Sequence, residues 1–363
     1  MQYDWFNTQV KQRLRELYEL ERINPSKEIA DAIEACKSQL FSKEPKCKRK
    51  ITPQDAYYSE YLAFKKYELI WPELQSFANK SSTGITYDIH KLKIELTPKE
   101  ISHLTYNFFK NGTSAKTFED YMHFRTHQRH NVHFIKKSPK SLYAESFYLP
   151  YYKENYIQMI PRNEFGDVAT LAHEYGHGIH FLNNYHKRWF TQNNLFIEII
   201  STFYEYLLLV YYSQTGDYQE ISLYSLIDNW EELKYAAGNV NTFLQYTDLM
   251  GLKDCYTKQE LQNAISEFIQ NHGPTNLVDI INEDGLISDN IIYIFAASIV
   301  CELINFYYED PQKALYYAEK IMLINPELSP EEFYDEILKL GIYPNDGFQQ
   351  FEGHMKRELT RFS

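Results

Sequence analysis

The chain has 363 residues, of which 44% are apolar and 24% charged, with only 13 glycines and 13 prolines. That composition excludes long disordered linkers and describes a globular protein, either one large domain or two packed lobes. A net charge of −12 argues against a surface for nucleic acid or anionic lipid.

The N-terminal stretch "MQYDWFNTQVKQRLREL" carries an early acid and no apolar core, so it reads as neither secretory signal nor anchor. Amphipathic patterns at 2–22 and 26–41 predict two helices. The basic run "KEPKCKRK" (43–50) that follows reads as a solvated loop. "TPQD" at 52, "TPKE" at 97, "DPQK" at 310 and "SPEE" at 329 each put a capping residue before a proline, a helix-start signal. In "TPKE" and "SPEE" a glutamate completes a capping box. Strand signals are few. "ITYDIHKLKI" (85–94) is weak, whereas "SLYAESFYL" (141–149) and "NYIQMI" (155–160), separated by "PYYKE", predict a two-stranded unit. Upstream of that unit, "HFRTHQRHNVH" (123–133) spaces His123, His127, His130 and His133 as a helix would. With no glutamate nearby, it reads as a solvated helix face, the alternatives being a substrate-facing wall or an adventitious metal site. The character of the chain changes near 135–140, giving an N-terminal helical region (1–135) and a second region (136–363). The expected fold is mainly α with a small β-sheet.

The longest apolar runs, "YLLLVYY" (206–212) and "IIYIFAASIV" (291–300), fall short of the roughly 18 residues of a membrane span. The four cysteines show no C-x-x-C spacing and fit reduced thiols. A cytoplasmic protein with no membrane or nucleic-acid partner is expected.

"TLAHEYGHGIHFL" (170–182) holds the chemistry. On a helix His173, His177 and His180 form one stripe, with Asp167 as a candidate N-cap. His173 and His177 are one turn apart, so both imidazoles can reach one zinc ion. Glu174 projects about 100° round the helix, where a carboxylate can take a proton from a zinc-bound water. Gly176 and Gly178 cost helix stability, and their lack of side chains allows another element or a substrate to approach closely. A catalytic zinc takes a third protein ligand. "NLFIEIISTFYEYLLLVYY" (194–212) reads as a buried helix, apolar nearly all round except for the stripe Glu198, Ser201, Thr202 and Glu205. Burying carboxylates costs several kcal/mol unless they are paired or bind a metal. Glu198 lies 25 residues after His173 (198 − 173), room enough for an antiparallel neighbour. It is the expected third ligand, with Glu205 the next candidate.

These segments resemble the thimet oligopeptidase and oligoendopeptidase F group of zinc peptidases. "DVATLAHEYGHGIH" is similar to that family's metal-binding helix, and "IEIISTFYE" to the segment supplying its glutamate ligand, which falls on Glu198. "NYIQMI" stands where the family has an edge strand that pairs with an extended substrate. "YIFAASIVCELINFYYEDPQKALYYAEKI" and "LSPEEFYDEILKLGI" resemble its later helices, so the likeness runs over roughly 140–345. It implies a zincin-like metallopeptidase with two helical lobes around a substrate channel, one Zn2+ per chain, and peptide substrates. Glu174 would be the general base and Tyr293 a donor to the oxyanion. Two departures stand out. Family members are much longer, which implies a reduced N-terminal lobe and a more open channel. The loop "NEDGLISDNIIYIF" keeps Tyr293 but has no histidine at the family's place. A peptide-binding protein with a structural zinc site therefore stays open beside the peptidase; Glu174 favours the enzyme. Neither cleavage preference nor oligomeric state is legible.

Overall fold

The structure is a computed structural model. It describes residues 2–41, 94–127, 131–136, 143–149, 154–184, 197–249, 286–325, 330–344 and 347–362, with a few isolated positions besides. The basic run at 43–50, the "TPQD" signal and nearly all of 85–94 lie outside these residues.

Two N-terminal helices, α1 (Gln2–Ile23) and α2 (Lys27–Phe41), form a hairpin. Helices α3 (Pro98–Gly112) and α4 (Ala115–His127) follow. The capping box read at "TPKE" is formed: the Thr97 side chain accepts from the Glu100 backbone N–H, and Glu100 reaches back to the Thr97 backbone. The sheet comprises β1 (Val132–Phe134), β2 (Ala144–Leu149) and β3 (Glu154–Met159) in the order β1-β3-β2. The remaining helices are α5 (Gly166–Asn184), α6 (Ile197–Gln214), α7 (Gln219–Leu249), α8 (Leu286–Glu309), α9 (Pro311–Met322), α10 (Pro330–Lys339) and α11 (Gly347–Leu359).

The sheet corrects two expectations. "NYIQMI" is not an edge strand: β3 pairs in parallel with β1 and antiparallel with β2, so both its sides are occupied. The histidine-rich stretch 123–133 is not one helix. Helix α4 ends at His127, and Val132–Phe134 joins the sheet, where His133 stacks on Tyr18 with ring centroids 3.8 Å apart. A three-residue strand gains its hydrogen bonds from β3, a partner that local spacing does not reveal.

Alternation along the strands gives the sheet two different faces. Ile157 and Met159 join the main core with Val168, Leu171 and Ala172 of α5. Tyr156, Phe147 and Leu149 point the other way and pack with Leu14 and Leu17 of α1 and Ile33 and Leu40 of α2. Polar contacts fix that second interface: Tyr18 donates to Gln158 at 2.7 Å, Gln158 to Glu145 at 2.7 Å, and buried Lys37 also pairs with Glu145. The α1–α2 hairpin, the sheet and α5 are thus three stacked layers.

Helices α6 and α8 form the centre of the main core, as apolar helices must. From Ile199 to Val210, α6 buries Ile199, Ile200, Phe203, Leu207, Leu208, Leu209 and Val210 completely. In α8 the stretch Ile292–Glu309 is long and apolar enough to cross a membrane by length and composition, more than the shorter run at 291–300 suggests. Here it packs against α6, α7, α9 and α11, and Ile294, Ile299, Val300, Leu303 and Ile304 are fully buried. Cys36 and Cys301 are both buried free thiols.

Candidate metal centre

Helix α5 carries the histidine motif and packs along α6. Asp167 stands in its first turn, but it is not the N-cap expected from sequence. Its carboxylate turns back to accept the backbone N–H groups of Arg162, Asn163 and Glu164, and the hydroxyl of Tyr143. These four donors lie upstream, so Asp167 fixes the bend between β3 and α5 instead of capping the helix. Its pKa is raised by burial, partly offset by the backbone donors.

The two glycines do what their lack of side chains allows. A Cβ on Gly176 would stand 2.7 Å from the Ser201 Cα, so α5 and α6 touch backbone to backbone there. A Cβ on Gly178 would stand 2.6 Å from the Asn155 side chain of β3. Both close approaches are between elements of the fold.

Across the α5–α6 contact, His173, His177 and Glu198 converge, with one nitrogen or oxygen of each within 4.8 Å of the others. His173 Nε2 lies 3.2 Å and His177 Nε2 3.4 Å from Glu198 Oε2. An ion held tetrahedrally at about 2.0–2.1 Å from each ligand sets its ligand atoms about 3.3–3.4 Å apart. The observed spacing and the two-nitrogen, one-oxygen donor set therefore fit zinc. Ser201 steadies Glu198 by donating to Oε2 at 3.0 Å. His180, the third histidine of the stripe, is buried but is not part of this group.

Glu205 takes a different part from the ligand role held in reserve for it. Its Oε2 lies 2.8 Å from His173 Nδ1, the nitrogen that faces away from the cluster. Glu205 Oε1 accepts from Asn229 Nδ2 of α7 at 2.9 Å. Carboxylates that hold the far nitrogen of a ligating histidine set its tautomer and its orientation. Sequence reading missed Asn229: it lies on another helix, and no spacing links it to the motif.

The electrostatics suit a cation. Burial alone would lower the pKa of His173, but Glu198 and Glu205 outweigh it and hold the imidazole well above its ordinary range. Burial alone would raise Glu198, but His177 and His173 hold it well below the usual carboxylate range. Glu174 goes the opposite way. Only 6% exposed, it is pushed up by burial, and its Oε2 has no hydrogen-bond partner among the described residues. Tyr293 of α8, 42% exposed, sets its ring 6.4 Å from that of His173. The structure thus brings all five sequence-derived site residues to one place. Nearby, Phe181 is in ring contact with His177 at 6.0 Å and with Tyr148 of β2 at 5.4 Å.

Neither a protein-family model nor a curated protein matches the sequence. Solved structures do match. A protein assigned as an oligoendopeptidase F in Bacillus anthracis str. Ames superposes with a TM-score of 0.51 at 12% identity, over 92% of this chain and 62% of its own. A protein assigned as a peptidase in Chlamydophila abortus gives 0.53 at 14%, over 99% and 63%. PZ peptidase A, in complex with an inhibitor, gives 0.55 at 13%, over 97% and 67%. The chain therefore spans less than two thirds of the first two proteins it matches. Mainly helical, with one small sheet, it has an oligoendopeptidase F-like fold.

Proposed function

We propose that the chain is a zinc-dependent peptidase that hydrolyses peptide bonds in oligopeptides or flexible precursor segments. One observation carries this reading: the convergence of His173, His177 and Glu198 beside a buried carboxylate, Glu174, whose Oε2 has no hydrogen-bond partner among the described residues. A structural metal site gives no reason to bury such an acid. Zinc on the three groups would act as a Lewis acid, lowering the pKa of a water molecule and polarising a scissile carbonyl.

The remaining steps belong to the chain's own residues. Glu174 takes a proton from the attacking water and delivers it to the leaving amine; a pKa raised by burial suits both transfers. Glu205 holds His173 in register. Tyr293 serves as a donor toward the carbonyl oxygen as negative charge develops there. With β3 enclosed, an extended peptide would pair along the outer edge of β2, which lies against α5 and pairs with β3 alone among the described residues. In this reading region 136–363 supplies the chemistry and region 1–135 walls the site.

A peptide library screened with wild-type protein, with Glu174→Gln and with added chelator tests the proposal. Cleavage confined to untreated wild type is expected. Cleavage by none of the three leaves a peptide-binding protein instead, and equal cleavage by all three overturns the zinc-dependent reading.

A further inference from the structure

We infer that Asn229 is a positioning residue for the metal centre, fixing His173 through Glu205. The inference rests on the metal reading above and extends it to a third helix. From Asn229 Nδ2 to Glu205 Oε1 is 2.9 Å, and from Glu205 Oε2 to His173 Nδ1 is 2.8 Å. His173 Nε2 in turn lies 3.2 Å from Glu198 Oε2. One chain of polar contacts thus runs from α7 through α6 to α5 and ends at the ligand atoms.

Each end of the Glu205 carboxylate has one task. Its side chain keeps 21% of its surface exposed, so packing alone does not immobilise it. With Oε1 held by the Asn229 amide, Oε2 stays opposite His173 Nδ1. It then accepts the Nδ1 proton, which leaves the Nε2 lone pair for the ion.

The residue type matters. Position 229 sits among acids: Asp228 and Glu232 share its helix, and Glu232 is pushed up by burial and by the charges of Asp228 and Glu205. An aspartate at 229 would be nearly isosteric, yet it would remove the donor and set a further negative charge against Glu205. The asparagine amide supplies the donor with no charge. Leucine would keep the bulk and remove the polarity.

The test uses full-length protein and a zinc competition assay against a chromophoric chelator, with the thermal midpoint of the metal-free protein as the control for folding. Asn229→Asp, Asn229→Leu and Glu205→Gln should each weaken zinc binding by about 10- to 100-fold, as loss of such outer partners does. The double variant Asn229→Asp with Glu205→Gln should bind more tightly than Asn229→Asp alone. Its amide oxygen at 205 still accepts from His173, and its amide nitrogen donates to the new carboxylate at 229. A wild-type chain without zinc affinity would overturn the metal reading itself. If wild type binds zinc and the Asn229 variants match it, the role of Asn229 fails while the metal reading stands. The role fails too if the double variant is no better than Asn229→Asp, or if metal-free stability falls while zinc affinity holds.

Discussion

Gly176 and Ser201 are in backbone contact across α5 and α6, with room for no more than a hydrogen where a Cβ would stand 2.7 Å from the Ser201 Cα. Real Cβ contacts do not come below 3.0 Å, so any side chain at 176 must separate the helices. The same contact lets Glu198, one turn before Ser201, reach both histidines of the facing helix.

Gly176→Ala is therefore expected to destabilise the protein, although alanine is the better helix former by about 1 kcal/mol. Overpacking of this kind costs about 1–3 kcal/mol. As Glu198 withdraws from His173 and His177, zinc affinity should drop at least tenfold. Thermal melts and zinc competition measure both. A variant that melts higher and binds zinc normally would mean that the helices can slide without cost.

Glu198→Ala should weaken zinc binding far more than Ser201→Ala, because the first removes a ligand and the second only a hydrogen bond to it. Binding should also tighten as pH rises. Glu198 and Glu205 hold the metal-free His173 imidazole above its usual pKa, so an ion must displace a proton to reach Nε2. Calorimetry in buffers of different ionisation enthalpy should record proton release on zinc binding. Release of none would contradict the protonated imidazole.

Glu174→Gln should abolish turnover and yet raise the melting temperature of the metal-free protein at neutral pH. Burying an ionisable acid is a cost that the proposed chemistry requires, and a neutral glutamine removes it. The sign follows from linkage. The folded pKa of Glu174 is raised above its unfolded value near 4.5, so its penalty is absent below that value and grows as pH rises through the folded pKa. The advantage of the glutamine variant should accordingly shrink on acidification and vanish near pH 4.5. An advantage that does not change with pH would have a different origin.

Alkaline pH should destabilise the protein through its buried tyrosine hydroxyls. Burial pushes the Tyr175 hydroxyl up to about 12, Arg125 offsetting part of it, and raises Tyr121 and Tyr204 as well. Unfolded tyrosine ionises near pH 10. Stability owed to these raised groups is complete below about pH 10 and lost as pH rises toward their folded values. Denaturation midpoints measured from pH 8 to 12 should fall steadily above 10, with tyrosinate absorbance appearing as the protein unfolds. Full tyrosinate signal from folded protein at pH 10.5 would show these rings to be accessible.

What the sequence determined by itself was local. One-turn spacing put His173 and His177 on one helix face, the capping box at Thr97 and Glu100 started α3, and the apolar pattern broken only by the stripe from Glu198 to Glu205 marked a buried helix. Each depends on residues within about two helical turns, and helix periodicity relates those without knowledge of the fold. The tertiary structure decided the rest. Glu198 and Glu205 lie seven residues apart on one stripe, equivalent by periodicity. Connection length and the family likeness ranked Glu198 first, but only the place where α5 crosses α6 shows it facing both histidines and makes Glu205 the partner of His173 Nδ1. Asp167 looked like a cap until the bend from β3 brought three backbone N–H groups to it. β3 looked like an edge until β1, too short to show in sequence, closed its other side. Asn229 had no signature at all, since a hydrogen bond between helices depends on how they pack and not on spacing along either one.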